Sequence, residues 1–313
     1  MELTGNTFFF DWEVSLMAFL QSHMGNFGAT LASILSTFGE ELVMIAILGF
    51  IYWCYDKKFG KFIALNIVMV SILNPLLKNI FLRRRPYFDN PQIKCLKPVD
   101  KGADIYDIAA QGFSFPSGHS SNAAATYGSL AAYKKKNKAM LAIAIILPLL
   151  VGVSRFCVGV HYPTDVICGW LLGLIVILLV PFLHEKIKSE PLFYLVMLLI
   201  GLPGWFYCTT NDFYTGYGMM VGFFAGFLFE ERFVKFEVTK KVIPSILRVL
   251  CGGALYFGLN TLLKLPFPTD FLTSGTFLAF LVRTIRYAIV CFVVIGVYPM
   301  IFRVFKKKDA VKE

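Results

Sequence analysis

Long apolar runs set the terms for this chain: 41–55, 59–82, 117–133, 139–157, 163–183, 191–207, 215–229, 242–263 and 274–302, with short clusters of Lys and Arg between several of them. A helix crosses the hydrocarbon of a bilayer with about 20 predominantly apolar residues, so runs of this kind predict membrane-spanning helices. Composition agrees, because 313 residues with 57% hydrophobic and only 16% charged side chains exceed what a soluble fold can bury. A weakly apolar segment is expected at 26–38, after an amphipathic segment near Asp11 to His23. The expectation is an all-α polytopic membrane helix bundle of about ten crossings, six in a core and four in a C-terminal extension. The core is placed at 1–190 and the extension at 191–313.

The net charge of +10 does not point to nucleic acid. The basic residues fall in clusters between spans, and their asymmetry predicts orientation. One side collects Lys57, Lys58 and Lys61, Lys134 to Lys138, Lys186 and Lys188, Arg232 to Lys241, and the tail from Arg303 to Lys312, eighteen cations against eight on the other. Both termini are therefore expected in the cytoplasm, with the long polar loop 83–115 on the opposite, non-cytoplasmic face of a plasma or inner membrane. The first eleven residues carry no Lys or Arg, so no cleavable signal is expected. Of seven cysteines, five lie in apolar segments without metal-type spacing, and only Cys95 and Cys208 are placed to meet an oxidising compartment.

Three separated stretches converge on that non-cytoplasmic side. Lys78 and Arg85 of KNIFLRRRP are seven residues apart, two helical turns, so both project from one face if the helix continues to Pro86. Ser117, Gly118 and His119 of FPSGHSS open a helix of small residues, whose N-terminus favours anions. Arg155 follows Ser154, and His161 precedes Asp165 by four residues around Pro163, at the start of a further helix. Cations, a helix N-terminus, two histidines and a carboxylate make a phosphoryl-transfer set. The cations would hold nonbridging oxygens, a histidine backed by the carboxylate would attack, and a second histidine would protonate the departing alkoxide. No carboxylate cluster with metal-ligand spacing is present, and no metal or other cofactor is expected.

K-x6-R-P, P-S-G-H and S-R-x5-H-x3-D, in this order, resemble the three signature motifs of the type-2 phosphatidic acid phosphatase family. These are lipid phosphate phosphatases related to vanadium haloperoxidases and glucose-6-phosphatase. The resemblance covers roughly 24–185 and implies that His161 forms a phosphohistidine, that Asp165 orients it, and that His119 serves as general acid and then base. It further implies that Lys78, Arg85, Arg155, Ser117 and the Gly118 backbone bind phosphate.

Each piece alone has a plainer reading: Lys78 snorkels, Arg83 to Arg85 form an anionic-lipid patch, and His119 is a satisfied helix-start histidine. Their joint spacing favours the site. Glu40 and Glu41 read as a solvated turn, and the aromatic run from Trp205 to Tyr217 as an interfacial belt. Arg283 and Arg286 lie inside the last apolar run, where they either pair inward or touch a lipid phosphate. The expected substrates are phosphatidic acid, phosphatidylglycerol phosphate, a polyprenyl (pyro)phosphate or a sphingoid phosphate, among which the motifs do not choose. The alternatives are a phosphotransferase with a lipid or sugar acceptor, and a non-catalytic lipid transporter or binding protein. Oligomeric state has no signal in the sequence.

Overall fold

The computed structural model describes residues 4–302. The tail cations from Arg303 onward, part of the orientation count, lie outside the described residues. All regular structure among the described residues is helical: α1 (Asp11–His23), α2 (Gly25–Thr37), α3 (Glu41–Phe50), α4 (Lys57–Phe81), α5 (Pro86–Asp89), α6 (Ile108–Gln111), α7 (Gly118–Tyr133), α8 (Lys138–Cys157) and α9 (Pro163–Lys186). The extension follows with α10 (Glu190–Gly201), α11 (Asn211–Phe229), α12 (Val242–Leu262), α13 (Thr269–Thr273) and α14 (Phe277–Phe292). Single π-turns continue α3, α11 and α14 at Ile51–Tyr55, Glu230–Val234 and Val293–Val297.

The chain is an all-helical integral membrane protein, and length and apolar composition alone single out fewer than ten of its helices as spans. Among the described residues five helices are long and apolar enough to span: Lys57–Phe81, Lys138–Cys157, Pro163–Lys186, Val242–Leu262 and Phe277–Phe302. A sixth is reached if Gly25–Thr37 and Glu41–Tyr55, bent by 44°, form one broken span. The shortfall has local causes. The helix α7 has 16 residues dominated by Ala, Ser and Gly, and α10 has 12 before it tightens into a 3₁₀ turn.

Contacts divide the chain into two compact units. The first takes the chain up to Met44, then Val70–Lys186 and the loop Gly204–Thr210; the second takes Ile45–Met69, Ile187–Pro203 and the chain from Asn211 onward. This grouping by packing cuts across a division at residue 190 in two places.

In the first unit α7 and α9 lie almost backbone to backbone. A Cβ on Gly169 would sit 2.7 Å from the Ser117 carbonyl, and one on Gly173 would sit 2.5 Å from the Ala124 Cβ. Small residues let two helices approach this closely without a hydrophobic driving force, and dispersion between them replaces it. In the second unit α11 meets α14 in the same manner: a Cβ on Gly218 would run into the Thr284 carbonyl, and one on Gly222 into the Ala288 carbonyl. The aromatic run splits. Phe206 and Tyr207 are exposed, as a belt requires, whereas Phe213 and Tyr214 are buried and Tyr214 stacks on Phe280 at 4.1 Å. All seven cysteines are free thiols.

Candidate active site

The first motif is built differently from a continued helix. The helix α4 stops at Phe81, and Leu82 takes a left-handed φ of 51°. The chain then runs extended through Arg83, pairing with Asn6: the Asn6 amide donates to the Leu82 carbonyl at 2.7 Å and the Arg84 amide to the Asn6 carbonyl at 2.9 Å. The Asn6 side chain caps the Phe81 carbonyl at 2.9 Å. Lys78 and Arg85 therefore do not share a helical face, and Pro86 opens α5 instead of ending α4. A backbone partner from the N-terminal segment outcompetes another turn of helix here.

Arg85 is nevertheless delivered to the site, and it is held by carbonyls: Nε donates to Gln111 at 2.9 Å and to Gly112 at 3.0 Å, and Nη1 to Val160 at 2.8 Å. That leaves Nη1 at 3.5 Å from Nε2 of His161. Lys78, buried in the last turn of α4, points at the second motif, where a Cβ on Gly118 would lie 3.9 Å from Nζ. Ser117 is the N-cap of α7, its hydroxyl accepting from the Ser120 amide at 3.3 Å, so Gly118 and His119 form the open N-terminal turn. Asn74 of α4 pins this turn through the Pro116 carbonyl and the Ser121 hydroxyl, both at 3.2 Å. The Ser117 amide is tied to the Asp165 carbonyl at 2.9 Å, joining the second motif to the third.

Arg155, near the end of α8, is buried and donates through Nη1 to the Ser36 hydroxyl of α2, while its Nε has no protein partner. His161 precedes α9 in a buried turn. Its Nδ1 lies 3.5 Å from Oδ2 of Asp165, too long for a hydrogen bond, and accordingly has none. Asp165 instead accepts from the Tyr162 amide at 2.8 Å and from Nη1 of Arg83 at 2.6 Å. Burial first, and then the charges of Arg85, Arg155, Lys78 and His119, hold the His161 imidazole well below its usual range. That direction favours the uncharged ring, and Nε2 is turned toward Arg85.

All eight expected residues, Lys78, Arg85, Ser117, Gly118, His119, Arg155, His161 and Asp165, belong to the first unit. Contacts or electrostatic coupling link each of them to another of the set. Sequence reasoning missed Glu13 and misread Arg83. Arg83 is buried and spans two carboxylates, Asp165 and, through Nη2 at 2.9 Å, Glu13 of α1. Its guanidinium stacks on Tyr162 at 3.9 Å and Phe8 at 4.7 Å. Glu13 also accepts from the Thr164 amide at 2.9 Å and hydroxyl at 2.6 Å, fastening α1 to the first turn of α9. The one signal was a carboxylate inside the aromatic run FFFDWEV, where a charge needs a partner. Glu40 of the supposed solvated turn pairs with Lys97 at 2.6 Å. Among the described residues no group of three His, Cys, Asp or Glu is disposed to hold a metal ion.

Residues 59–189 match the profile of the PAP2 superfamily, and 214–310 match the PAP2 superfamily phosphatase transmembrane extension. The chain is 35% identical to phosphatidylglycerophosphatase B of Bacillus subtilis over 156 residues, 47% of this chain and 69% of that one. It is 32% identical to the undecaprenyl-diphosphatase of Sulfolobus acidocaldarius over 142 residues, 44% of this chain and 62% of the relative. The crystal structure of a transmembrane PAP2 type phosphatidylglycerolphosphate phosphatase from Bacillus subtilis aligns with a TM-score of 0.43 and 29% identity, covering 57% of this chain and 87% of the other. With the three motifs intact and the matched relative covered over more than two thirds of its length, the chain belongs to the PAP2 superfamily.

Proposed function

We propose that this membrane phosphatase hydrolyses a lipid phosphomonoester or pyrophosphate through a phosphohistidine on His161. The observation that carries this reading is the buried His161 imidazole, with Nε2 facing Arg85 and with Arg155, Lys78 and His119 around it. A phosphate placed there has its nonbridging oxygens bound by the three cations and the Gly118 amide, which leaves phosphorus open to Nε2. Nε2 forms a bond to phosphorus as the bond to the leaving oxygen breaks, and His119 gives that oxygen its proton. Water then attacks the phosphohistidine, His119 takes its proton back, and inorganic phosphate leaves. Asp165 compensates the positive charge that develops on the His161 ring.

The relatives point to lipid substrates, since one is a phosphatidylglycerophosphatase and another an undecaprenyl-diphosphatase. The asymmetry of Lys and Arg supports a site on the non-cytoplasmic face. The test is release of inorganic phosphate from phosphatidic acid, phosphatidylglycerol phosphate, a polyprenyl diphosphate and a sphingoid phosphate by the detergent-solubilised protein. At least one lipid is expected to be turned over, and His161→Ala is expected to lose about 10⁴-fold or more while remaining folded. Turnover retained in folded His161→Ala overturns the assignment. Consumption of the lipid without phosphate release, with the phosphoryl group appearing on an added acceptor, would make the chain a phosphotransferase instead.

A further inference from the structure

The second unit treats its cations in two different ways. Lys57 is paired with Glu230 at 2.7 Å, and Lys61 with Glu231 at 2.7 Å, so lysines that fold inward are given carboxylates. Arg248 is satisfied by the carbonyls of Trp53 and Glu237 at 2.7 and 2.9 Å. Arg283 and Arg286 of α14 receive neither. They stand three residues apart on one face of the helix, Arg286 is 3% exposed, and no carboxylate among the described residues lies within ion-pair distance of either. Arg286 donates from Nη2 to Oδ1 of Asn260 at 3.0 Å, and its buried Nε has no hydrogen-bond partner. Arg283 comes only within 3.5 Å of the Thr215 hydroxyl. Asp212 acts on Arg283 electrostatically without forming an ion pair; two like charges a turn apart with no directly paired carboxylate are costly in an apolar span, and such cations mark anion or ion pathways.

We propose that Arg283 and Arg286, with Asn260 and Thr215, form a second anion site, in the C-terminal extension, that takes a phosphate group. The guanidinium forks match phosphate oxygens, Asn260 and Thr215 orient them, and the unfilled Nε of Arg286 supplies a further donor. Depth along the helix favours a lipid headgroup as the source. The span Phe277–Phe302 has 26 residues, about 39 Å of helix against about 30 Å of hydrocarbon, so its first turn reaches beyond the acyl chains. Arg283 starts about 9 Å from that end, and helical side chains lean back toward the N-terminus, which carries its guanidinium to headgroup level. The site binds whatever the chemistry of His161 turns out to be.

The experiment titrates the full-length protein in neutral detergent with dioctanoyl phosphatidylglycerol, following the unfolding midpoint; dioctanoyl phosphatidylcholine and inorganic phosphate are the other arms. Phosphatidylglycerol is expected to raise the midpoint saturably, and phosphatidylcholine much less. Arg283→Gln/Arg286→Gln is expected to weaken the lipid at least tenfold. Binding at the catalytic pocket is common to all the proteins and cancels in the comparison. Should that double variant fold poorly, Asn260→Asp gives Arg286 an internal carboxylate: its unliganded midpoint should hold or rise while the lipid affinity falls by a similar factor. Displacement of the lipid by inorganic phosphate would extend the site to the free ion, and failure to displace would confine it to the headgroup. Unchanged lipid affinity in both variants, or phosphatidylcholine binding as tightly as phosphatidylglycerol, overturns the proposal.

Discussion

At the scale of single residues, the ion ladder Glu13–Arg83–Asp165 sets the charge that lies beside His161. Arg83 satisfies two buried carboxylates at once, and removing one member of such a set costs about 3–5 kcal/mol because a charge is left uncompensated. Glu13 touches no proposed phosphate ligand, so it acts by setting how much of Arg83, and therefore of Asp165, remains for His161. With Glu13→Gln the guanidinium is drawn wholly onto Asp165, the negative potential at the imidazole weakens, and the imidazolium formed during attack is less well compensated. A roughly tenfold lower kcat with little change in KM is expected, of the scale of an outer partner to a reacting group. The pH profile separates this from simple misfolding. Burial and Arg85 already hold His161 below its usual range, so the acid limb of kcat/KM in the wild type should lie below about 6.5, and in Glu13→Gln it should move lower still. Stability carries the matching sign. The unfolded chain takes the His161 proton first, so this group costs stability progressively as pH falls through about 6.5. An unchanged limb with normal KM, or a limb moved upward, would reduce Glu13 to a fastener of α1.

At the scale of elements, the site depends on how closely α7 can approach α9. Gly173→Leu must displace the Ala124 Cβ and the backbone of Ser121 and Ala125, and overpacking of this kind costs about 1–3 kcal/mol. Because Ser117 is bonded to Asp165 where the two helices begin, the same shift should lower turnover of any phosphate ester. A thermal unfolding midpoint and an initial rate, both in detergent, check the pair of effects; a lower midpoint with full activity would show that the motif loop is positioned independently of the packing. Much at this scale was legible in the sequence. The positions of α7, α8 and α9 follow from apolar runs, from Pro163 at a first helical turn, and from the small residues after Ser117, because these are local signals. The run from Leu82 to Arg85 was not legible. Its extended form depends on Asn6, a partner more than seventy residues away, and neither Arg83 nor Asn6 carries a local mark of that pairing. The three motifs were readable as a set because residue types suited to phosphate recur in each at short spacing, although the shared helical face read for Lys78 and Arg85 did not form. Their supports, Glu13, Ser36 and Asn74, come from other helices and show only once the chain is folded.

At the scale of the whole molecule, chemistry and packing divide the chain differently. Every proposed phosphate ligand and the two histidines with proposed roles, His119 and His161, precede residue 166, so ending the chain after Lys188 would remove none of them. The same cut would strip partners from what remains. Lys57 and Lys61 would lose Glu230, Glu190 and Glu231, leaving half-buried cations without carboxylates in the second unit. In the first unit Asn79, next to Lys78, would lose the Thr210 hydroxyl at 2.7 Å and the Thr209 amide at 2.9 Å, contacts made by the loop Gly204–Thr210. That loop lies beyond the cut yet packs with the motifs. The truncated chain is therefore expected to accumulate poorly or to unfold at a lower temperature, although its motif residues are complete. Co-expression of 189–313 as a separate chain should restore folded protein and hydrolysis of a short-chain soluble phosphate ester, since helices that insert independently can reassociate through the same side chains. The measurement is the yield of monodisperse protein and the rate on that soluble ester, for the truncation with and without the second fragment. A truncation as stable as the full chain, with full activity on the soluble ester, would mean that these pairs and the Asn79 contacts contribute nothing measurable, leaving the extension only the selection among long-chain lipids.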